Sequence, residues 1–324
     1  MQNELHRIEI PLGIMFQTVN CYLISGAQLT LIDCGLYTAN NWNLFQEKIK
    51  ALGYRVSDIE QVIITHEHRD HTGLLPEIMD NSDAIVRAPK AIKGWFFRPD
   101  EMKEREGRFN RTLFRTIGFP EAKKVLLDQF YKSVKLGRKI NDRSRFSFFE
   151  EGDKLKIGNT DWEVLNTPGH CPNQHVFLQK AQRRIFGSDM LLPLAPMPII
   201  SEHPDKPGEP TKSLNDLIAS FARLKVFEIA TVYPGHGAVF QQANQMIDKQ
   251  LARIKMRKQE CFEAIREGFV TPYQINRKMY PYQQIPPDFS GLFMILGYLD
   301  LLEEEGKITR RYDEEGVVHF RVDG

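Results

Sequence analysis

The segment Thr65-His66-Glu67-His68-Arg69-Asp70-His71-Thr72-Gly73 places three imidazoles and the carboxylate of Asp70, with Glu67 between the first two histidines, among residues 66 to 71. Imidazole nitrogen and carboxylate oxygen are the ligands that suit zinc, manganese or iron. The segment follows Val62-Ile63-Ile64, a short apolar run with the character of a buried strand, so the cluster should emerge at a strand end. Side chains two apart on extended or tightly turned backbone can point the same way. His66 and His68 can therefore share one ion while Asp70 and His71 turn toward a second. Two ions held close together activate a water between them. A polar loop after a strand is the plain alternative, but a chance cluster this dense is improbable and related pieces recur downstream.

The elements that position these residues can be read along the chain. Leu5 to Pro11 reads as a first strand, and 19–24 with 29–32 as a hairpin about Ser25-Gly26-Ala27-Gln28. Helical periodicity runs from Ala39 to Leu52 and stops at Gly53, and a second helix is expected from His71 to Met79. A strand follows over 84–88. Lys154–Ile157 and Trp162–Leu165 bracket a further hairpin that leads to Thr167-Pro168-Gly169-His170, where the Pro-Gly pair forces a turn. His175 opens a strand, and Arg184 to Ser188 form another that ends at Asp189. Thr211 to Leu224 reads as a helix, and Ile229 to Tyr233 as a strand leading into Pro234-Gly235-His236-Gly237.

The run from His66 to His71 matches His-x-His-x-Asp-His, the signature of the metallo-β-lactamase superfamily, and the chain resembles its hydrolase branch. Asp33-Cys34-Gly35, Pro168-Gly169-His170, Gly187-Ser188-Asp189 and Tyr233-Pro234-Gly235-His236-Gly237 fall in the family's order. The resemblance implies that His66, His68 and His170 bind one ion, that Asp70, His71 and His236 bind the other, and that Asp189 bridges them. A bridging carboxylate offsets the charge of two adjacent dications and fixes their separation. Asp33 would lie beneath the site and orient it. The cofactor implied is two Zn2+, with Mn2+ or Fe as alternatives. Cys171 stands where serine or threonine is common and is expected to pack; His175 is expected to support the site rather than ligate, and His203 to lie at the surface.

The chain has 324 residues, 42% of them apolar, and a formal net charge of +1, so its global charge points to no polyanionic partner. Four cysteines without Cys-x-x-Cys spacing make neither a disulfide framework nor a zinc knuckle. No signal peptide and no membrane span is legible, which sets the expectation of a cytoplasmic protein with no membrane partner. The fold class expected is α/β, an αββα metallo-β-lactamase sandwich over residues 1–239. A helical cap is inserted at about 90–150, and a small C-terminal winged-helix-like module occupies 240–324. The cap segment is aromatic-rich (Trp95, Phe96, Phe97, Phe109, Phe114, Phe119, Phe130, Tyr131), carries twice as many Lys and Arg as Asp and Glu, and breaks near Gly107, Gly118 and Gly137. Its aromatics either pack on the core or its cations meet an anionic substrate. In the last module, helices precede a hairpin of 307–312 and 317–322, and Glu303-Glu304-Glu305 ends the helix that would enter a nucleic-acid groove. Phosphates would be repelled there, so packing or a homodimer interface is the expectation for this module.

The function implied by the resemblance is a binuclear metal-dependent hydrolase using a metal-bridging hydroxide, with Asp70 and Asp189 catalytic. A small-molecule thioester, ester or lactone is the first choice of substrate. The apolar loop 191–200 suits an acyl group and the basic cap an anionic carrier. RNA or another phosphodiester comes second, supported by resemblance to the β-lactamase-like-protein-2 branch, some members of which cleave RNA; the glyoxalase II-like branch is similar too. A mononuclear iron persulfide dioxygenase and a non-enzymatic metal-binding protein are the remaining alternatives.

Overall fold

A computed structural model describes residues 4–13, 17–120, 139–194, 197–282 and 289–322. Phe130, Tyr131 and Gly137 of the expected cap, and Ala195 and Pro196 of the apolar loop, lie outside the described residues. Two six-stranded sheets form the centre. The first begins as a meander of β1 (Leu5–Pro11), β2 (Thr18–Ile24) and β3 (Thr30–Ile32). It continues in parallel with β4 (Gln61–Ile63), β5 (Ile85–Pro89) and β6 (Phe146–Phe149). Strands β3 and β4 are buried at every position, as parallel strands covered on both faces must be. The second sheet holds β7 (Lys154–Ile157), β8 (Thr160–Asn166), β9 (His175–Gln179), β10 (Arg184–Ser188), β11 (Thr231–Pro234) and β12 (Phe240–Gln241) in reverse spatial order, antiparallel except for β10 with β11.

Helices cover the outer faces. On the first sheet lie α1 (Ala39–Ala51), α2 (Arg69–Thr72) and α3 (Leu75–Asp80). The Thr38 hydroxyl accepts from the Asn41 backbone N–H at 2.9 Å and so starts α1. Tyr22, Ile63, Trp162, Phe177 and Phe186 form the apolar layer between the sheets. The layers are thus helix, sheet, sheet, helix, as expected.

The single helix expected over 71–79 is two helices. A Cβ added to Gly73 would lie 2.4 Å from the Tyr37 nitrogen, and the Leu74 N–H turns to the Gly35 carbonyl at 3.1 Å. Pro76 also lacks the N–H that would continue the ladder. The turn carrying Asp70 and His71 is thereby bound to the loop after β3.

Between β5 and β6 lie α4 (Lys93–Phe97) and α5 (Pro99–Thr116). The cap segment stops being helical before residue 146, because Phe146–Phe149 pairs with β5 as an edge strand. Its described aromatics are packed: Phe96 and Phe97 lie against the first sheet, and Phe109, Phe114 and Phe119 join Ile200, Phe289 and Leu292. Along α5, Arg98 pairs with Glu101, Arg108 with Glu104, and Arg105 with Glu202.

On the second sheet lies α6 (Ser213–Lys225), followed after β12 by α7 (Ala243–Arg266), α8 (Pro272–Met279), α9 (Ser290–Glu304) and the hairpin β13 (Ile308–Tyr312) and β14 (Val318–Val322). One apolar cluster runs from Leu178, Ile185 and Val232 through Phe221 of α6 to Ile254, Cys261, Ile295 and Phe320. Gly297 permits close contact with α6, since a Cβ there would come within 2.5 Å of Leu214 Cβ. The helix α9 is packed against α6 and α7, with its acidic end bound to cations at Lys212 and Arg310. No described helix is long and apolar enough to cross a membrane.

Candidate metal centre

The centre starts at the end of β3. Asp33 has a φ of +53°, a left-handed conformation that aspartate tolerates better than bulky residues. Its carboxylate accepts the Thr65 N–H at 2.9 Å, the Thr65 hydroxyl at 2.8 Å and the His71 Nδ1–H at 2.7 Å. His71 is thereby left with Nε2 turned to the centre. The effect reaches His66 as well. The Thr65 hydroxyl spends its proton on Asp33, so its oxygen accepts from His66 Nδ1 at 3.0 Å and leaves His66 Nε2 facing inward.

The other rings are fixed by backbone. His170 Nδ1 donates to the Met197 carbonyl at 2.7 Å, and His236 Nδ1 to the Thr18 carbonyl at 2.8 Å. His66 Nε2 and His170 Nε2 then lie 3.0 and 2.8 Å from His68 Nδ1. Asp189 enters from the end of β10. A register shift between Phe186 and Ser188, with Ser188 at φ +42°, re-aims the chain there. Its Oδ2 lies 3.3 Å from His170 Nε2 and 3.2 Å from His236 Nε2, and its Oδ1 lies 3.4 Å from His71 Nε2. Asp70 Oδ2 is 3.4 Å from His236 Nε2. Only glycine fits at 235, where a Cβ would sit 2.1 Å from Asp189 Oδ1.

All seven residues singled out in the sequence are brought together. They form groups of His66, His68 and His170; of His66, His71 and Asp189; and of Asp70, His71 and His236, with ligand atoms within 4.8 Å of one another in each. His175 and His203 are in none of these groups: His175 Nδ1 bonds the Asn173 carbonyl at 2.8 Å and its ring meets Phe149 edge-on. Cys171 is 2% exposed and packs beside Glu67, whose carboxylate accepts from Asn173 at 2.9 Å. The four cysteines are all free and buried.

Electrostatics divides the centre. Burial drives His66 and His68 below the ordinary imidazole value and brings His170 down to about 4, so these rings are neutral and ready to donate lone pairs. In the other half, burial also opposes charge, but Asp189 and Asp33 outweigh it at His71, and Asp189 and Asp70 push His236 up to about 10. The same imidazoles hold both Asp70 and Asp189 below the usual carboxylate range against the effect of burial. Buried His71 Nε2 and Asp189 Oδ1 lack hydrogen-bond partners. Such atoms are costly unless something positive meets them. Neutral nitrogens on one side and anionic oxygens on the other form a donor set that fits two divalent cations.

Sequence reasoning missed the residues that hold this set: Thr65, Ser188, Asn20 and the Met197 carbonyl. Their signal was position beside a motif, since Thr65 and Ser188 each precede a site residue directly.

The model of the Metallo-beta-lactamase superfamily matches residues 15–236. A probable metallo-hydrolase, YqjP of Bacillus subtilis, is 29% identical and covered over 97% of each chain. An atrochrysone carboxyl ACP thioesterase of Aspergillus fumigatus is 24% identical over 79% of this chain and 62% of its own length. Among solved structures, a metallo-beta-lactamase family protein of Thermus thermophilus, TTHA1429, superimposes with a TM-score of 0.80 at 20% identity over 98% of both chains, which shows the same fold. With motif order, site geometry and family match in agreement, the chain belongs to the metallo-β-lactamase superfamily.

Proposed function

We propose that the protein hydrolyses an acyl thioester or ester of a small acid with two divalent metal ions, zinc first among those the donors suit. His66, His68 and His170 would hold one ion, and Asp70, His71 and His236 the other, with Asp189 between them. The observation that carries this reading is the meeting of two histidine-rich groups at one carboxylate that is only 3% exposed. A complete second group argues against a mononuclear iron centre. When bound, the ions lower the pKa of a water from about 15.7 toward 7 and polarise the scissile carbonyl.

The chain's own residues supply the rest. Asp189 neutralises charge at the floor of the site. Asp70 is 26% exposed beside His236, so it is placed to orient the attacking water and relay its proton to the leaving group. Leu194 and Val239 are exposed on the loops that follow Asp189 and His236, and Pro193 lies against Gly237. These apolar side chains suit an acyl group, and the similarity to an ACP thioesterase supports the same class. The RNA reading loses ground because Arg105 and Arg108 of α5 are paired with carboxylates and α9 is packed inside.

The test is a side-by-side assay of zinc-loaded protein on acyl thioesters and on an unstructured end-labelled RNA, with Asp189→Asn as control. Thioester cleavage is expected, reduced by about 100-fold or more in the control together with metal content. Metal-dependent RNA cutting without thioester cleavage would replace this reading.

A further inference from the structure

Asn20 lies on β2 in the first sheet, is 1% exposed and belongs to none of the candidate ligand groups. Its Nδ2 donates to the carbonyls of Pro234 and Gly237, each at 2.8 Å, and its backbone N–H donates to the Gly235 carbonyl at 2.7 Å. Only the amide nitrogen can face two carbonyls, so the orientation of the side chain is set by its partners. The Tyr22 hydroxyl adds a second bond to the Pro234 carbonyl at 2.7 Å. Three carbonyls of the segment 234–237 are thus held from the opposite sheet, on both sides of His236. The same segment brings Gly235 against Asp189.

We propose that Asn20 is a positioning residue for the second metal subsite: by holding the turn 234–237 it fixes His236. The assignment rests on the two-metal reading above. Neither Cβ nor a carboxylate can replace the amide. Alanine removes one donor from each of two carbonyls, leaving Pro234 to the Tyr22 hydroxyl and Gly237 to Arg7, and aspartate sets oxygen against oxygen in a buried site. Asn20 reaches His236 and not His66, His68 or His170, so its loss should act on one ion only.

The experiment counts zinc per full-length chain and measures the affinity of each ion by chelator competition, in the wild type, Asn20→Ala, Asn20→Asp and Tyr22→Phe. Cobalt-substituted protein gives a separate absorption signature of each subsite. The expected result is two ions in the wild type, and in both Asn20 variants a second ion weakened about 10–100-fold with the first ion's affinity and cobalt bands unchanged. Tyr22→Phe removes one hydroxyl and is expected to show a smaller loss in the same ion, which keeps the test open if the Asn20 variants fold poorly. Wild-type affinity for both ions in the Asn20 variants and in Tyr22→Phe would overturn the proposal. So would an equal weakening of the two ions, which marks a general loss of structure. A wild type holding fewer than two ions would overturn the two-metal reading and this assignment with it, and is told apart by the wild-type count alone.

Discussion

Asp33 governs two imidazoles by two routes of different length. It bonds His71 directly and reaches His66 through the Thr65 hydroxyl. Removing that hydroxyl should disturb one half of the centre and spare the other. Thr65→Val keeps shape and the backbone bond to Asp33, and is expected to weaken the ion on His66, His68 and His170 by about tenfold; Asp33→Ala should weaken both ions. Chelator competition on the two variants reads the difference, and equal losses in both would show that Thr65 acts by packing alone. The seven central residues were legible because their chemistry is dense and local: six neighbouring positions, then three short turns. Thr65, Ser188 and Asn20 were not, because a hydroxyl or amide in a strand has many ordinary uses and its partner lies far along the chain.

At the scale of elements, boundaries followed local signals until tertiary contacts overrode them. The α2–α3 break was invisible in periodicity because its cause is a loop 36 to 38 positions earlier pressing on Gly73. The cap segment was read as helical up to 150 because apolar Phe146–Phe149 has no helical or strand signature until β5 lies beside it. Within its basic excess, Arg105 and Arg108 of α5 serve carboxylates of the protein itself. On α9, burial raises the Asp300 carboxyl to about 6 despite Arg310 at 3.3 Å. A folded pKa above the unfolded value near 3.9 means the folded state holds the proton more firmly. Stability from this group is then full below about 3.9 and is lost as pH rises through about 6. Asp300→Asn should therefore raise the melting temperature at pH 8 more than at pH 5, by the equivalent of about 2 kcal/mol at most. An equal change at both pH values would mean that the pair with Arg310 offsets the burial.

Across the whole molecule, the C-terminal helices are part of the structure that holds the second sheet. They share the cluster of Leu178, Ile185 and Phe221, and Gln250 of α7 donates to the carbonyls of Leu192 and Leu194, just after Asp189, at 2.8 and 2.7 Å. A chain ending at residue 239 should lose cooperative thermal unfolding and bind an apolar dye, because α6 would face water along its buried stripe. A sharp melt with no dye binding would instead make the last 85 residues an independent unit.

The bond from His236 to Thr18 joins residues 218 positions apart. During synthesis, the cluster at 66–71 leaves the ribosome long before its partners exist, and contacts of such separation close late. Metal acquisition then belongs to the end of biosynthesis, after both sheets have met.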